Sequence, residues 1–483
     1  MPSRLIRPFS RRELLARSCN GIGALALARM LAQEATAAAS TEINPLAVKP
    51  QHLARKAKHC IFLFMAGGAS QLDTFDYKPA LQTYAGKSLP MVPGLSGEIE
   101  GFLKAPHRAI PSPFEFRQYG QSARWMNTML PKLGECVDEL AFVYGIQVEN
   151  NNHGPATMSM NTGSQFQGSP SIGSWVNFGL GSPNQDLPGY VVLQDPRGAP
   201  VNGAAVWGSG YLPAALQGTL VRSKGSPILD LAPPKGVSRE RQRKEFDLLK
   251  ALNESHMAER PGENELEARI SAYELAFRMQ GKAAQVVDLS GESEQMKRRY
   301  GLDNPVTEGF GIQCLLARRL VENGVRHVLC VHGVEIGKHS WDDHGDIKSG
   351  MPRHLAEVDQ PVAALLMDLK ARGLLQETLV VWASEMGRTP FINDLKSDKP
   401  GRDHNQYGLA MWIAGGDVKG GSTVGETDEF GIKSLGEPIP IRDVHATILN
   451  LLGLSDERLT YLHAGRFRRL TDIGGRVLKE IIA

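Results

Sequence analysis

Six short apolar runs recur along the chain: His59–Met65, Leu140–Tyr144, Tyr190–Leu193, Arg326–Val331, Thr378–Trp382 and Leu409–Ile413. The first reads HCIFLFM and does not alternate with polar residues. A strand with one wet face alternates, so continuous apolar runs predict strands covered on both faces. Helical spacing appears between them. In the clearest stretch Leu355, Val358, Val362, Leu365, Leu366 and Leu369 share one face, and Gly373 stands where a helix would end. The strand at Thr378 follows at once. Strand, helix, strand in that order predicts parallel pairing, and so an α/β sandwich with a mostly parallel central sheet. The domain is expected over residues 56–475.

Two stretches break this pattern. Residues 238–280 are charged and poor in strand formers, which predicts an inserted helical arm broken near Pro261-Gly262. Connections rich in Pro and Gly fall at 90–112 and 194–236. The N-terminus differs again. Arg4 and Arg7 precede Ser10-Arg11-Arg12-Glu13-Leu14-Leu15, a small and apolar run covers Gly21 to Leu31, and Ala35-Thr36-Ala37-Ala38-Ala39 follows. A basic start, a short apolar run and a small-residue cleavage stretch predict an export signal over residues 1–39, and the paired arginines predict the twin-arginine type. The apolar run is too short to span a bilayer, which takes about 20 residues. The mature chain is expected to be periplasmic or extracellular, with no stable membrane span.

Charge removes one class of partner. The chain carries 54 basic and 52 acidic side chains, a net charge of +2, so no electrostatic case exists for nucleic acid. Cys19 would leave with the signal. Cys60, Cys136, Cys314 and Cys330 are far apart in sequence, which excludes a CxxC motif, and Cys60 and Cys330 lie inside apolar runs as core thiols.

Polar residues gather directly after the predicted strands. Asp73 and Asp76 follow Gly67-Gly68 behind the first. Asn150-Asn151-Asn152-His153 follows the second. His339-Ser340-Trp341-Asp342-Asp343-His344 comes after Val331, Ser384-Glu385-Met386-Gly387-Arg388 after Trp382, and Arg402-Asp403-His404 stands before Leu409. Ligands of open α/β sheets sit at the carboxyl ends of strands, so these segments converge on one edge. Carboxylates with imidazoles suit a divalent cation such as zinc, manganese, iron or calcium. Arg388 and Arg402 could clamp an anionic group. Asp443 and His445 precede an apolar helical stretch, where Asp443 is expected as an N-cap.

The segments GGASQLDTFDYKP, TLVVWASEMGRTP, GRDHNQYGLAMWIAGGDVKGG and RDVHATILNLLGL resemble a bacterial family of exported proteins, the domain of unknown function numbered 1501, from about Lys58 to Leu470. That family is similar to the alkaline phosphatase and sulfatase superfamily. The resemblance implies metal ions beside a nucleophile, acting on phosphate or sulfate esters of small molecules or polysaccharides. The superfamily's nucleophile stands ten residues before the Gly of a Thr-Gly pair. Here the pair is Thr162-Gly163, and His153 holds the nucleophile's place, as nucleophile or as a further metal ligand. Glu385-Met386-Gly387 replaces an Asp-His-Gly. One metal site is implied by Asp342 or Asp343 with His344 and His404, and a second by Asp73, Glu385 and Asp403. His153, Glu385 and Arg388 are the expected catalytic group, and Arg388 and Arg402 the expected anion clamps. The expected function is an exported metal-dependent ester hydrolase. Its alternatives are a scaffold of the same fold that binds a metal, glycan or protein without catalysis, and an assembly partner docking through the helical arm.

Overall fold

The computed structural model describes residues 45–483 except 96, 223–235, 260–274, 276, 280–282, 336, 393–395 and 397. The expected export signal and the outer part of the expected arm lie outside the described residues. The near part of the arm is a helix, Arg239–Glu259.

The nine strands of the main sheet are numbered in chain order: β1 His59–Met65, β2 Leu140–Gln147, β3 Tyr190–Leu193, β4 Thr219–Val221, β5 His327–His332, β6 Thr378–Ala383, β7 Leu409–Ala414, β8 Thr423–Val424 and β9 Ile439–Pro440. Across the sheet they run β8-β2-β7-β6-β1-β5-β3-β4, and β9 also pairs with β2. Strand β1 is central and parallel to both neighbours, with Cys60 opposite His327 on one side and Leu379 on the other. Strand β7 alone runs antiparallel to its neighbours, β2 and β6. The sheet is therefore mixed but mostly parallel. Each of the six expected strands forms within a residue or three of its expected ends. The short β4 lies inside a connection rich in Pro and Gly, and β8 and β9 have two residues each. Periodicity cannot register strands so short.

Seven helices matter below: α1 His153–Thr162, α2 Ile172–Leu180, α3 Arg239–Glu259, α4 Glu294–Arg299, α5 Glu308–Glu322, α6 Ile347–Ala371 and α7 Ile441–Leu451. All of β1, β5, β6 and β7 is buried, because helices cover both faces. Gly173 of α2 packs on His327 and Tyr190, whereas Cys314 of α5 interacts with Cys330, which points to the opposite face. The six apolar positions read on α6 are all buried, and Gly373 follows its end at φ +73. The four cysteines of the described residues are free and buried. Residues 45–483 make one compact unit. No described helix is long and apolar enough to cross a membrane.

The expected N-cap at Asp443 is corrected. Pro440 caps α7, and Asp443 lies inside the first turn, where its carboxylate accepts the backbone N–H of Arg476 at 2.9 Å. The pull of this distant segment outweighs the local capping preference.

Candidate metal centre

The carboxyl ends of the sheet strands bring four side chains together. His153 is the first residue of α1, whose N-cap Asn152 accepts the N–H of Gly154. Asp342 and His344 lie on the loop between β5 and α6. His404 precedes β7 and is held by a two-residue antiparallel ladder that sets Arg388 opposite it. One nitrogen or oxygen of each residue lies within 4.8 Å of the others.

Glycines let the loops approach. A Cβ on Gly67, which has φ +119, would stand 2.4 Å from Ser340 Oγ and 2.5 Å from the Trp341 nitrogen. The bare backbone at 67 thus allows the Asp342 loop to cross the end of β1, where the Trp341 N–H donates to Ala66 O at 3.0 Å. A Cβ on Gly401 would stand 1.9 Å from the His344 carbonyl oxygen, so this glycine admits the second ligand of that loop.

The contacts to Asp342 approach the spacings of a coordination sphere, and the two nearest imidazoles stand closer, at hydrogen-bond length. His344 Nε2 is 2.8 Å from His404 Nε2 and 3.1 Å from Asp342 Oδ1. His404 Nε2 is 3.4 Å from Asp342 Oδ1, and His153 Nε2 is 3.4 Å from Asp342 Oδ2. Ligands about 2.0–2.1 Å from one tetrahedral zinc stand about 3.3 Å apart. His153 Nε2 is buried and forms no hydrogen bond. Its Nδ1 lies 2.8 Å from Glu385 Oε1, which holds the proton on that nitrogen and leaves the Nε2 lone pair facing the cluster. Two imidazole nitrogens at 2.8 Å repel unless a proton or cation lies between them. The residues therefore fit a divalent cation.

The other expected site residues lie around this group. The Glu385 carboxylate accepts the Gly67 N–H at 2.9 Å besides orienting His153. Arg388 donates to Gly68 O at 2.7 Å, Arg402 O at 3.1 Å, Gly67 O and Asp342 Oδ1 at 2.6 Å. Its side chain is 2% exposed, so it braces the ligand Asp342 and does not open to solvent. Arg402 is 0% exposed and grips Asp73 at 2.6 and 3.2 Å, and Ser70 Oγ donates to the same carboxylate. A guanidinium stands where the implied second metal would need Asp73. Asp403 Oδ1 is 3.8 Å behind His344 Nδ1. Asp343 turns away from its neighbour Asp342 and packs against Gly350 and towards His354. Sequence alone left that choice open, and only the contact with Gly350 decides it.

Residues 57–482 match the family described as "Protein of unknown function (DUF1501)". The chain belongs to this family. No curated protein matches the sequence. Among solved structures, it is similar to a lipoteichoic acid synthase of Listeria monocytogenes, with 10% identity, 85% of this chain and 76% of that chain covered, and a TM-score of 0.33. An alkaline phosphatase from the Antarctic bacterium TAB5 gives 10% identity, coverage of 83% and 99%, and a TM-score of 0.33. A sulfatase from Pseudoalteromonas sp. gives 14%, coverage of 83% and 69%, and 0.33. TM-scores this low carry no argument about chemistry.

The electrostatics of this DUF1501 site call for positive charge. Burial disfavours a charged His153, but the neighbouring carboxylates of Asp342 and Glu385 outweigh burial and lift it to about 9. Burial would raise Asp342, yet His153, His404 and Arg388 hold it well below the usual carboxylate range. Burial, then Arg388, pushes His344 down to about 4. Burial lowers His404 as well. A proton on His153 thus answers the carboxylates when no cation does.

Sequence reasoning missed a second buried group, His332, His354 and Glu357, whose ligand atoms also lie within 4.8 Å of one another. The i, i+3 spacing of His354 and Glu357 on one helix was the available signal.

Proposed function

We propose that this protein is an exported hydrolase acting on a phosphate or sulfate ester at a single divalent metal ion, with zinc the best match. The observation that carries the reading is the convergence of His153, Asp342, His344 and His404, one ligand atom of each within 4.8 Å of the others, with His153 Nε2 buried and unpartnered. Three imidazoles and one carboxylate suit zinc better than calcium or magnesium, which prefer oxygen.

A cation there would polarise an ester oxygen and lower the pKa of a water toward about 7. The chain's own residues supply the rest. Glu385 fixes the tautomer of His153, so His153 serves as a ligand in the place of the superfamily's nucleophile. Arg388 holds Asp342 and offsets its charge. His344, with a side chain 40% exposed, marks the open side by which an anionic ester would enter. Arg388 and Arg402 are committed to internal partners, so the charge of the cation would draw the anion. Arg402 on Asp73 favours one metal ion over two.

One observation favours the alternative of a metal-holding scaffold without turnover. Four protein ligands complete a tetrahedron, as in structural zinc sites, whereas catalytic zinc keeps a position open. Elemental analysis of the mature protein beside His404→Ala, followed by a phosphate and sulfate ester panel, tests both. One equivalent of metal with turnover lost in the variant supports the hydrolase. One equivalent with no turnover on any ester supports the scaffold. Absence of metal from protein never exposed to chelator rejects both.

Export belongs to the same proposal and rests on Arg11-Arg12 and the Ala35–Ala39 stretch. N-terminal sequencing of protein recovered outside the cytoplasm should begin close to residue 40. An intact Met1 there would reject it.

A further inference from the structure

The buried group at His332 resembles a second metal site in composition, yet the proton of His332 is already assigned, while His354 has both ring nitrogens buried without a hydrogen-bond partner. Trp341 Nε1–H donates to His332 Nδ1 at 2.9 Å. An indole only donates, so Nδ1 must accept and the ring proton sits on Nε2. His332 Nε2 lies 2.8 Å from Glu357 Oε2. No lone pair remains on that nitrogen for a metal. Arg197 takes both oxygens of Glu357, at 2.8 and 3.1 Å. The same guanidinium grips Asp195 at 2.8 and 2.7 Å. Asp195 Oδ2 in turn accepts the N–H of Gly333 at 2.9 Å, next to His332. The chain of contacts closes on itself, through His332, Glu357, Arg197, Asp195 and Gly333, and ties β3, β5 and α6 together.

Trp341 hangs from this ring and is the neighbour of Asp342. It is 1% exposed, its ring stacks on His354 with centroids 4.6 Å apart, and its backbone N–H donates to Ala66 O, just past the end of β1. We infer that Trp341 is a positioning residue for the metal centre, and that the His332–Glu357–Arg197–Asp195 ring sets its indole and thereby the carboxylate of Asp342. The inference rests on the metal reading given above. It assigns a purpose to four polar residues, three of them charged, that the hydrolase reading leaves unused. Partners that orient a metal ligand typically account for 10- to 100-fold in affinity.

The test uses the signal-less chain prepared free of metal, as wild type, Trp341→Phe and Glu357→Gln. The phenylalanine keeps most of the ring and removes the N–H. The glutamine keeps the shape and removes the charge, and it lines a cavity of about 380 Å³, so the apolar core is not opened. Zinc affinity is read by competition with a chromophoric chelator, and geometry by the visible absorption of bound cobalt. Trp341→Phe is expected to bind zinc about tenfold more weakly with a shifted cobalt spectrum, and Glu357→Gln to shift both in the same direction by less. Wild-type affinity and an unchanged cobalt spectrum in the variants would overturn the inference while leaving the metal reading intact. If Trp341→Phe does not fold, Glu357→Gln decides alone. A wild type that takes up no metal overturns the metal reading itself, and this inference with it.

Discussion

Two clusters of the same residue types lie at the carboxyl ends of sheet strands, and they differ in how far donors of the chain complete them. Around His332 most acceptors meet a donor of the chain, Trp341 for the His332 imidazole and Arg197 for Glu357 and Asp195, while the ring nitrogens of His354 are buried without a hydrogen-bond partner. Asp73 with Arg402 is complete in the same way. Around His153 the lone pairs of three imidazoles and a carboxylate face one another, and the nearest guanidinium, Arg388, serves Asp342 from one side only. Counting donors therefore separates a structural network from a site that needs something from outside, where counting residue types does not.

The comparison can be broken at several points. The largest effect is expected at Arg402→Ala, which strands a buried Asp73 carboxylate and should cost about 3–5 kcal/mol in denaturant unfolding. A variant of near wild-type stability would mean that Asp73 finds another cation. His404→Ala removes one ligand and should weaken zinc by at least on the order of 100-fold in chelator competition, while the metal-free protein still melts cooperatively. Next comes Glu385→Gln, which loosens the tautomer of His153 and should weaken zinc about tenfold. Equal affinity there would deny Glu385 its orienting role.

A smaller effect follows from Glu357. Burial would raise its pKa, but His332 and Arg197 outweigh burial and hold it at about 2, below the ordinary glutamate value of 4.5. A depressed carboxylate adds stability that is present above its unfolded pKa and lost as pH falls through the folded one. Wild type should therefore lose stability between about pH 4.5 and 2 by a step that Glu357→Gln lacks, as acid titration of the melting temperature would register. An identical acid limb in the two proteins would show that Arg197 adds nothing to the charged form. The smallest effect is expected from His354→Gln, which should leave zinc stoichiometry unchanged. Loss of a metal equivalent in that variant would erase the distinction between the clusters.

Much of the fold was legible in the sequence. Unbroken apolar runs located the six core strands because strands covered on both faces leave no polar positions to confuse the pattern. The antiparallel sense of β7 and the two- and three-residue strands at the sheet edges left no periodic trace. The site was legible as a place and less so as a set of roles. His153, Asp342, His344 and His404 all lay in the expected segments. Which carboxylates stay free depends on partners remote in sequence: Arg402 sits 329 positions from Asp73, and the Gly350 contact that turns Asp343 away belongs to the next helix. A lone sequence records that arginines are present, but not which acids they occupy.

His153 and Glu385 are 232 positions apart, and their contact helps define the centre. No short segment of the chain can hold the four ligands, so the centre has no local precursor and is complete only once the loops after β2 and β5 and before β7 have met. Metal capture would then report completion of the whole sheet, and a nascent or truncated chain would have no competing site at which to trap the ion.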